Sequence, residues 1–206
     1  MPPSSRRLHV IAAIAVLLLT ACSTSKLLWH QANPEYVGKP FRQVMVHAVA
    51  YDKTLRRVFE DRMVARLGER GIRGVPAYSI FDKDVEIEES RLREAVEQSG
   101  VDGVLITRPG AEDRTTTQVA GGTIVTGTGM VGLYGYYGGV WQVTEAAPKK
   151  AEGARWMAST TRLFDASNGA PVWAGTVDMA MEGDVMPAMQ RYIDIVVRAM
   201  VKDGVI

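Results

Sequence analysis

The chain is poor in the residues that do most enzymatic chemistry. It holds one cysteine, Cys22, so no internal disulfide can form and no paired-thiolate metal site can be built. Its three histidines, His9, His30 and His47, are scattered along the sequence, which leaves zinc without a ligand set. No G-x-S-x-G elbow marks a hydrolase nucleophile. The longest unbroken apolar run is ten residues, Val10–Leu19, short of the roughly 20 that a spanning helix needs. A formal charge of +1, with no basic stripe, argues against nucleic-acid binding.

What is present starts at the amino terminus. Arg6-Arg7 precede the apolar run, and Leu19-Thr20-Ala21-Cys22 follows it. Positive charge, a 7–15-residue apolar stretch and small residues are the layout of an export signal. The final four residues resemble a bacterial lipobox, in which the thiol accepts a thioether-linked diacylglycerol. The twin arginine lacks the longer motif of its own export route, so it reads as two ordinary signal charges. In Gram-negative lipoproteins an aspartate after the cysteine favours inner-membrane retention; by that analogy Ser23 favours the outer membrane. The expected divisions are a signal at 1–21, a lipidated tether at 22–40 and one domain at 41–206. Loss of Arg6 and Arg7 takes the 24 basic residues to 22 against 23 acidic ones, a formal −1. With Cys22 acylated, no free thiol remains for catalysis.

Along the domain, Val44–Val49 is an apolar run that predicts a buried strand. Asp52 stands at an N-cap position, and Leu55, Val58, Phe59, Met63 and Leu67 follow with helical spacing. Arg56 with Glu60, and Arg57 with Asp61, are i,i+4 pairs expected on its wet side. Ile72–Ala77 predicts a second strand ending near Pro76, and Leu92, Ala95 and Val96 a second helix stopped at Ser99-Gly100. Asp102–Thr107 predicts a third strand. Residues 155–165 and 171–181 read as strands joined through Asn168-Gly169, a hairpin signal. A last helix, capped by Asp184, carries Met189, Ile193, Val196, Val197 and Met200 on its apolar side. The expectation is a single α/β domain with a mixed sheet of about five strands: β-α-β-α-β, an antiparallel hairpin, then a carboxy-terminal helix.

Residues 110–150 stand apart. Eight glycines fall between Gly121 and Gly139, interleaved with Tyr134, Tyr136, Tyr137 and followed by Trp141. That glycine density predicts an extended excursion rather than helix. Aromatics on a flexible backbone suit partner binding, so these four are the candidate partner-binding residues. The plainer reading is an insertion with no partner.

Several segments together resemble a group of uncharacterised Gram-negative envelope lipoproteins: Arg56–Glu60, Gly71–Ser79, Val101–Thr107, Leu163–Asp165 with Val172-Trp173, and Lys202–Ile206. More distantly, the β-α-β-α-β start and late hairpin are similar to the amino-terminal domain of the Tol translocation protein B, and to the lipoprotein of the curli secretion pore. The resemblance covers about residues 41–108 and 155–206 and is silent across the glycine-tyrosine stretch. It implies an envelope α/β domain used in interaction or assembly, and it carries over no catalytic residue.

The remaining motifs favour plain readings. Gly127-Thr128-Gly129-Met130-Val131-Gly132 matches a dinucleotide fingerprint, yet the glycine- and tyrosine-rich sequel does not make the helix that such a site requires. Asp82, Asp84, Glu86, Glu88 and Glu89 lack the calcium-loop spacing and read as a solvated helix start. His47 reads as a satisfied sheet residue, and Trp156 and Trp173 as a cross-strand pair. The sequence thus predicts a non-enzymatic outer-membrane lipoprotein facing the periplasm, lipid-attached at Cys22, without cofactor, metal or nucleic acid. Its expected partner is an envelope protein or peptidoglycan. Two alternatives differ in class. One is an oligomeric pore or secretion component with a membrane hairpin at 119–143. The other is an envelope hydrolase, which a buried His47 beside a carboxylate would favour.

Overall fold

Strand β2, Gln43–Ala48, shows why the sheet has two covered faces, for every residue after Gln43 is buried. Val44, Val46 and Ala48 point into one apolar core, while Met45 points into another. A strand buried on both sides needs helices above and below it. The computed structural model describes residues 25–49, 52–81, 89–109, 117–119, 122–124, 132–137, 156–180 and 184–206.

The remaining elements are β1 (Lys26–Ala32), α1 (Lys53–Gly68), β3 (Arg73–Pro76), a 3₁₀ turn (Ala77–Ser79), α2 (Glu89–Ser99), β4 (Gly103–Pro109), β5 (Thr117–Val119), β6 (Gly122–Ile124), α3 (133–137), β7 (Trp156–Asp165), β8 (Pro171–Ala180) and α4 (Val185–Lys202). The main sheet runs β1-β8-β7-β4-β2-β3. β2 is parallel to both β3 and β4, and the other neighbours are antiparallel. The mixed α/β architecture is as the sequence predicts, with one strand more. Pro76 closes β3 at the sheet's edge, where a missing N–H costs little.

The added strand is β1. Lys26–Ala32, expected to be tether, pairs antiparallel with β8 and forms the other edge. Its half-buried residues, Leu27, Trp29, His30 and Ala32, break strict alternation at an irregularity between Leu27 and Trp29 and so do not announce a strand, but β8 offers an open row of backbone donors and acceptors.

Both long helices start as predicted. The Asp52 carboxylate accepts from the N–H groups of Thr54 and Leu55, and that of Asp184 from Met186. α1 and α4 cover one face through Phe59, Met63, Leu67, Ile193, Val197 and Met200. α2 and α3 cover the other, where Leu92 and Val96 meet Val104, Ile106 and Phe164.

Three expectations are corrected. Arg56 and Glu60 are not on a wet face: they are 2% and 0% exposed. The hairpin joins strands that end at Asp165 and start at Pro171, as expected. Asp165 and Ala170 bracket a four-residue loop in which Gly169 sits at φ +70° and its N–H donates to the Asp165 carbonyl. Trp156 lies opposite Ala180 and Trp173 opposite Leu163, so the two tryptophans are at different ends of the hairpin. Within the glycine-rich stretch, residues 133–137 are helical, because Leu133, Tyr136 and Tyr137 at i, i+3 and i+4 all enter the second core. The described strands there, β5 and β6, are three residues each, against the 9–11 of a membrane strand. The dinucleotide-like motif at 127–131 and the acids at 82–88 lie outside the described residues.

Candidate functional site

The two ends of the sheet carry different cavities. At the end where β2 and β4 finish and β7 begins, a half-open cavity of about 130 Å³ lies between the sheet, α1 and α4. Open α/β sheets take ligands at the carboxyl ends of their parallel strands. Leu55, Phe59, Met157, Met179, Val185 and Met189 give it an apolar wall. Its polar neighbours are engaged with one another. Tyr192 Oη is 2.6 Å from Thr161 Oγ1, which is 2.8 Å from Thr107 Oγ1. Burial raises the Tyr192 phenol far above its ordinary range.

Beside this cavity is a buried charged cluster that the sequence placed in water. Glu60 Oε1 accepts from Arg56 Nε at 2.9 Å and from the Ala48 N–H at 3.0 Å. Its Oε2 accepts from the Tyr78 N–H at 2.9 Å. One carboxylate thereby ties α1 to the end of β2 and to the 3₁₀ turn. Burial raises the Glu60 pKa, and those donors and the Arg56 charge oppose the shift. The signal for this role was slight: Glu60 follows Phe59 and precedes Met63, on the flank of the apolar stripe.

His47 completes the cluster, 1% exposed, with Nδ1 3.4 Å from Arg56 Nη2 and 3.7 Å from Glu60 Oε1. This is the histidine-beside-carboxylate arrangement that would favour a hydrolase. Its electrostatics do not suit a general base. Burial and the Arg56 charge push the imidazole pKa down to about 3, so at neutral pH it is the uncharged ring and too weak a base to draw a proton from a nucleophile. The carboxylate is already filled by three donors, and the Thr107–Thr161–Tyr192 hydroxyls hold one another on the other side of the cavity.

At the opposite end, a wide groove of about 1380 Å³ runs between α2, the β7–β8 turn and the segment before β2. It is lined by charges of both signs, among them Lys39, Arg42, Arg93, Glu97 and Asp165. Tyr134 stands on its wall with the Arg93 guanidinium 3.7 Å above the ring centre, a cation–π contact. Tyr36 donates its hydroxyl to Asp165, and burial with that carboxylate's charge pushes its phenol up to about 12.

The four candidate partner-binding residues do not stay together. Tyr134 reaches the groove, whereas Tyr136 and Tyr137 are core residues, 7% and 1% exposed. Trp141 and Cys22 lie outside the described residues. Among the described residues, no three His, Cys, Asp or Glu side chains gather as a metal-ligand set. No described helix is long and apolar enough to cross a membrane.

No family model and no curated relative matches the chain. Among solved structures it is similar to the PelC dodecamer from Paraburkholderia phytofirmans. They are 15% identical, with a TM-score of 0.46, over 84% of this chain and 96% of that one. A point variant of the same PelC dodecamer is 16% identical with a TM-score of 0.42, over 85% of this chain and 96% of that one.

Proposed function

We propose that the chain is a lipid-anchored protein of the bacterial envelope, held at the outer membrane through Cys22. Its α/β domain works in the periplasm as a non-enzymatic interaction or assembly module. The observation that carries this reading is the order Leu19-Thr20-Ala21-Cys22 after a short apolar run and two arginines. The fold agrees with it: β1 begins at Lys26, four residues beyond Cys22, which sets the domain close to its anchor. The non-enzymatic part rests on the Arg56–Glu60–His47 and Thr107–Thr161–Tyr192 groups, which among the described residues are engaged with one another.

Docking is assigned to the groove at the far end, where Tyr134 offers a rigid aromatic surface among charges of both signs. An envelope protein fits that mixed lining. The test is an in-cell crosslinking pull-down of the membrane-extracted protein beside Cys22→Ala and Tyr134→Ala. The expected result is an acylated Cys22, release of Cys22→Ala from the membrane, and at least tenfold weaker recovery of one envelope protein by Tyr134→Ala. An unmodified Cys22 refutes the anchor, and equal recovery by Tyr134→Ala refutes the groove.

A further inference from the structure

The apolar cavity has no part in docking at the far groove, and its position suggests another occupant. We infer that it receives the end of an acyl chain carried by the protein's own Cys22, an inference that rests on the lipid-anchor reading above.

The first argument is the nature of the walls. Apolar cavities of about 150 Å³ stay dry and take hydrocarbon ligands of benzene's size, so about 130 Å³ suits the last several carbons of a fatty chain. Met157, Met179 and Met189 contribute flexible thioethers, which adapt to a thin, mobile ligand better than branched side chains do.

The second argument is location. Met157 pairs with Met179 near the open end of the hairpin, and Lys26, the first residue of β1, pairs with Asp178, next to Met179. The strand leading from Cys22 therefore enters the sheet beside the cavity. Leu27, Val177 and Met179 all belong to the core on the α1–α4 side, the side that holds the cavity. The four-residue step from Lys26 back to Cys22 spans at most about 14 Å at ~3.5 Å per residue. A fatty chain starting within that radius is long enough to return to Met179. The polar groove is at the other end of the sheet, beside the β7–β8 turn.

A chain tip lodged there would be shielded from water while the protein is between membranes, and its release into a bilayer would complete anchoring. The cavity covers only the last carbons of a chain that a bilayer buries whole, so at about 0.8 kcal/mol per CH₂ the chain leaves the cavity once a bilayer is at hand.

The test is to feed cells producing the full-length protein a palmitate analogue with a photoreactive diazirine near its tail. After irradiation of the aqueous and membrane-bound pools, crosslinked peptides are mapped by mass spectrometry. The expected product joins the acylated Cys22 peptide to the peptides holding Met157, Met179 or Met189, and is most abundant outside the bilayer. Met157→Trp, a bulky residue at the half-open mouth, should lower this product at least fivefold with Cys22 still acylated, while Met157→Leu retains it. Acylated Cys22 that crosslinks only to lipid or to other surfaces overturns the inference and leaves the anchor reading intact. Pocket peptides bearing a phospholipid mass instead of the Cys22 peptide overturn the assignment to the protein's own chain. A Cys22 without acyl mass defeats the anchor reading and this inference with it.

Discussion

Replacing Glu60 with alanine removes a fully buried carboxylate and leaves three donors behind: the Arg56 guanidinium and the N–H groups of Ala48 and Tyr78. The pair is 2% and 0% exposed, so solvent does not screen it and the surface-pair figure of up to about 1 kcal/mol does not apply. Breaking a buried pair by removing one partner costs about 3–5 kcal/mol, because the remaining charge stays in a low-dielectric site. At about 2–4 °C per kcal/mol for a domain of this size, the melting temperature should fall by roughly 6–20 °C. Arg56→Met combined with Glu60→Gln removes the stranded charge and keeps one carbonyl for a backbone donor, and it should recover at least about 1 kcal/mol relative to Glu60→Ala. Urea unfolding followed by far-ultraviolet circular dichroism measures both. A loss below about 1 kcal/mol for Glu60→Ala would refute the reasoning, for it would mean that the pair is hydrated in solution.

Two further outcomes follow from the same geometry. His47 is held neutral with a pKa of about 3 against an ordinary 6.5, so its contribution is full above pH 6.5 and is lost as pH falls toward 3, by up to about 4–5 kcal/mol. Glu60 acts in the opposite sense: its raised pKa gives a contribution present below about 4.5 that fades as pH rises. Urea midpoints from pH 7 to 4 should fall steeply in the parent and flatten in His47→Gln; an unchanged slope would show that other groups set it. Asp203 Oδ2 accepts from Trp173 Nε1 at 2.7 Å and lies 2.6 Å from His30 Nδ1, joining the end of α4 to β8 and β1. Asp203→Ala should cost about 1–3 kcal/mol and shift the Trp173 emission, and a stability within 0.5 kcal/mol of the parent would count against that link.

The sequence by itself determined the elements with strong local signals. Asp52 and Asp184 announce helix starts because a short carboxylate meets orphan N–H groups within its own turn. The apolar stripes of α1 and α4 are repeats of 3–4 residues, and the doubly buried run of β2 is contiguous, so periodicity alone locates them. Leu19-Thr20-Ala21-Cys22 is a contiguous pattern, so the proposed anchor rests on local sequence alone. Only the tertiary structure decided the rest. β1 is a strand because β8, some 145 residues later, presents an edge to it. Arg56 and Glu60 share the helical spacing of a solvated pair, and they are buried because the end of β2 and the 3₁₀ turn bring donors that no local pattern encodes. Tyr134, Tyr136 and Tyr137 look alike in sequence, yet one turn of helix sends Tyr136 and Tyr137 into the core and leaves Tyr134 at the groove. The apolar cavity is assembled from side chains of six elements and the ends between them, so its walls exist only once β2, β4, β7, β8, α1 and α4 have met. Local motifs survive in one dimension, whereas burial and enclosure depend on which distant segments the folded chain places side by side.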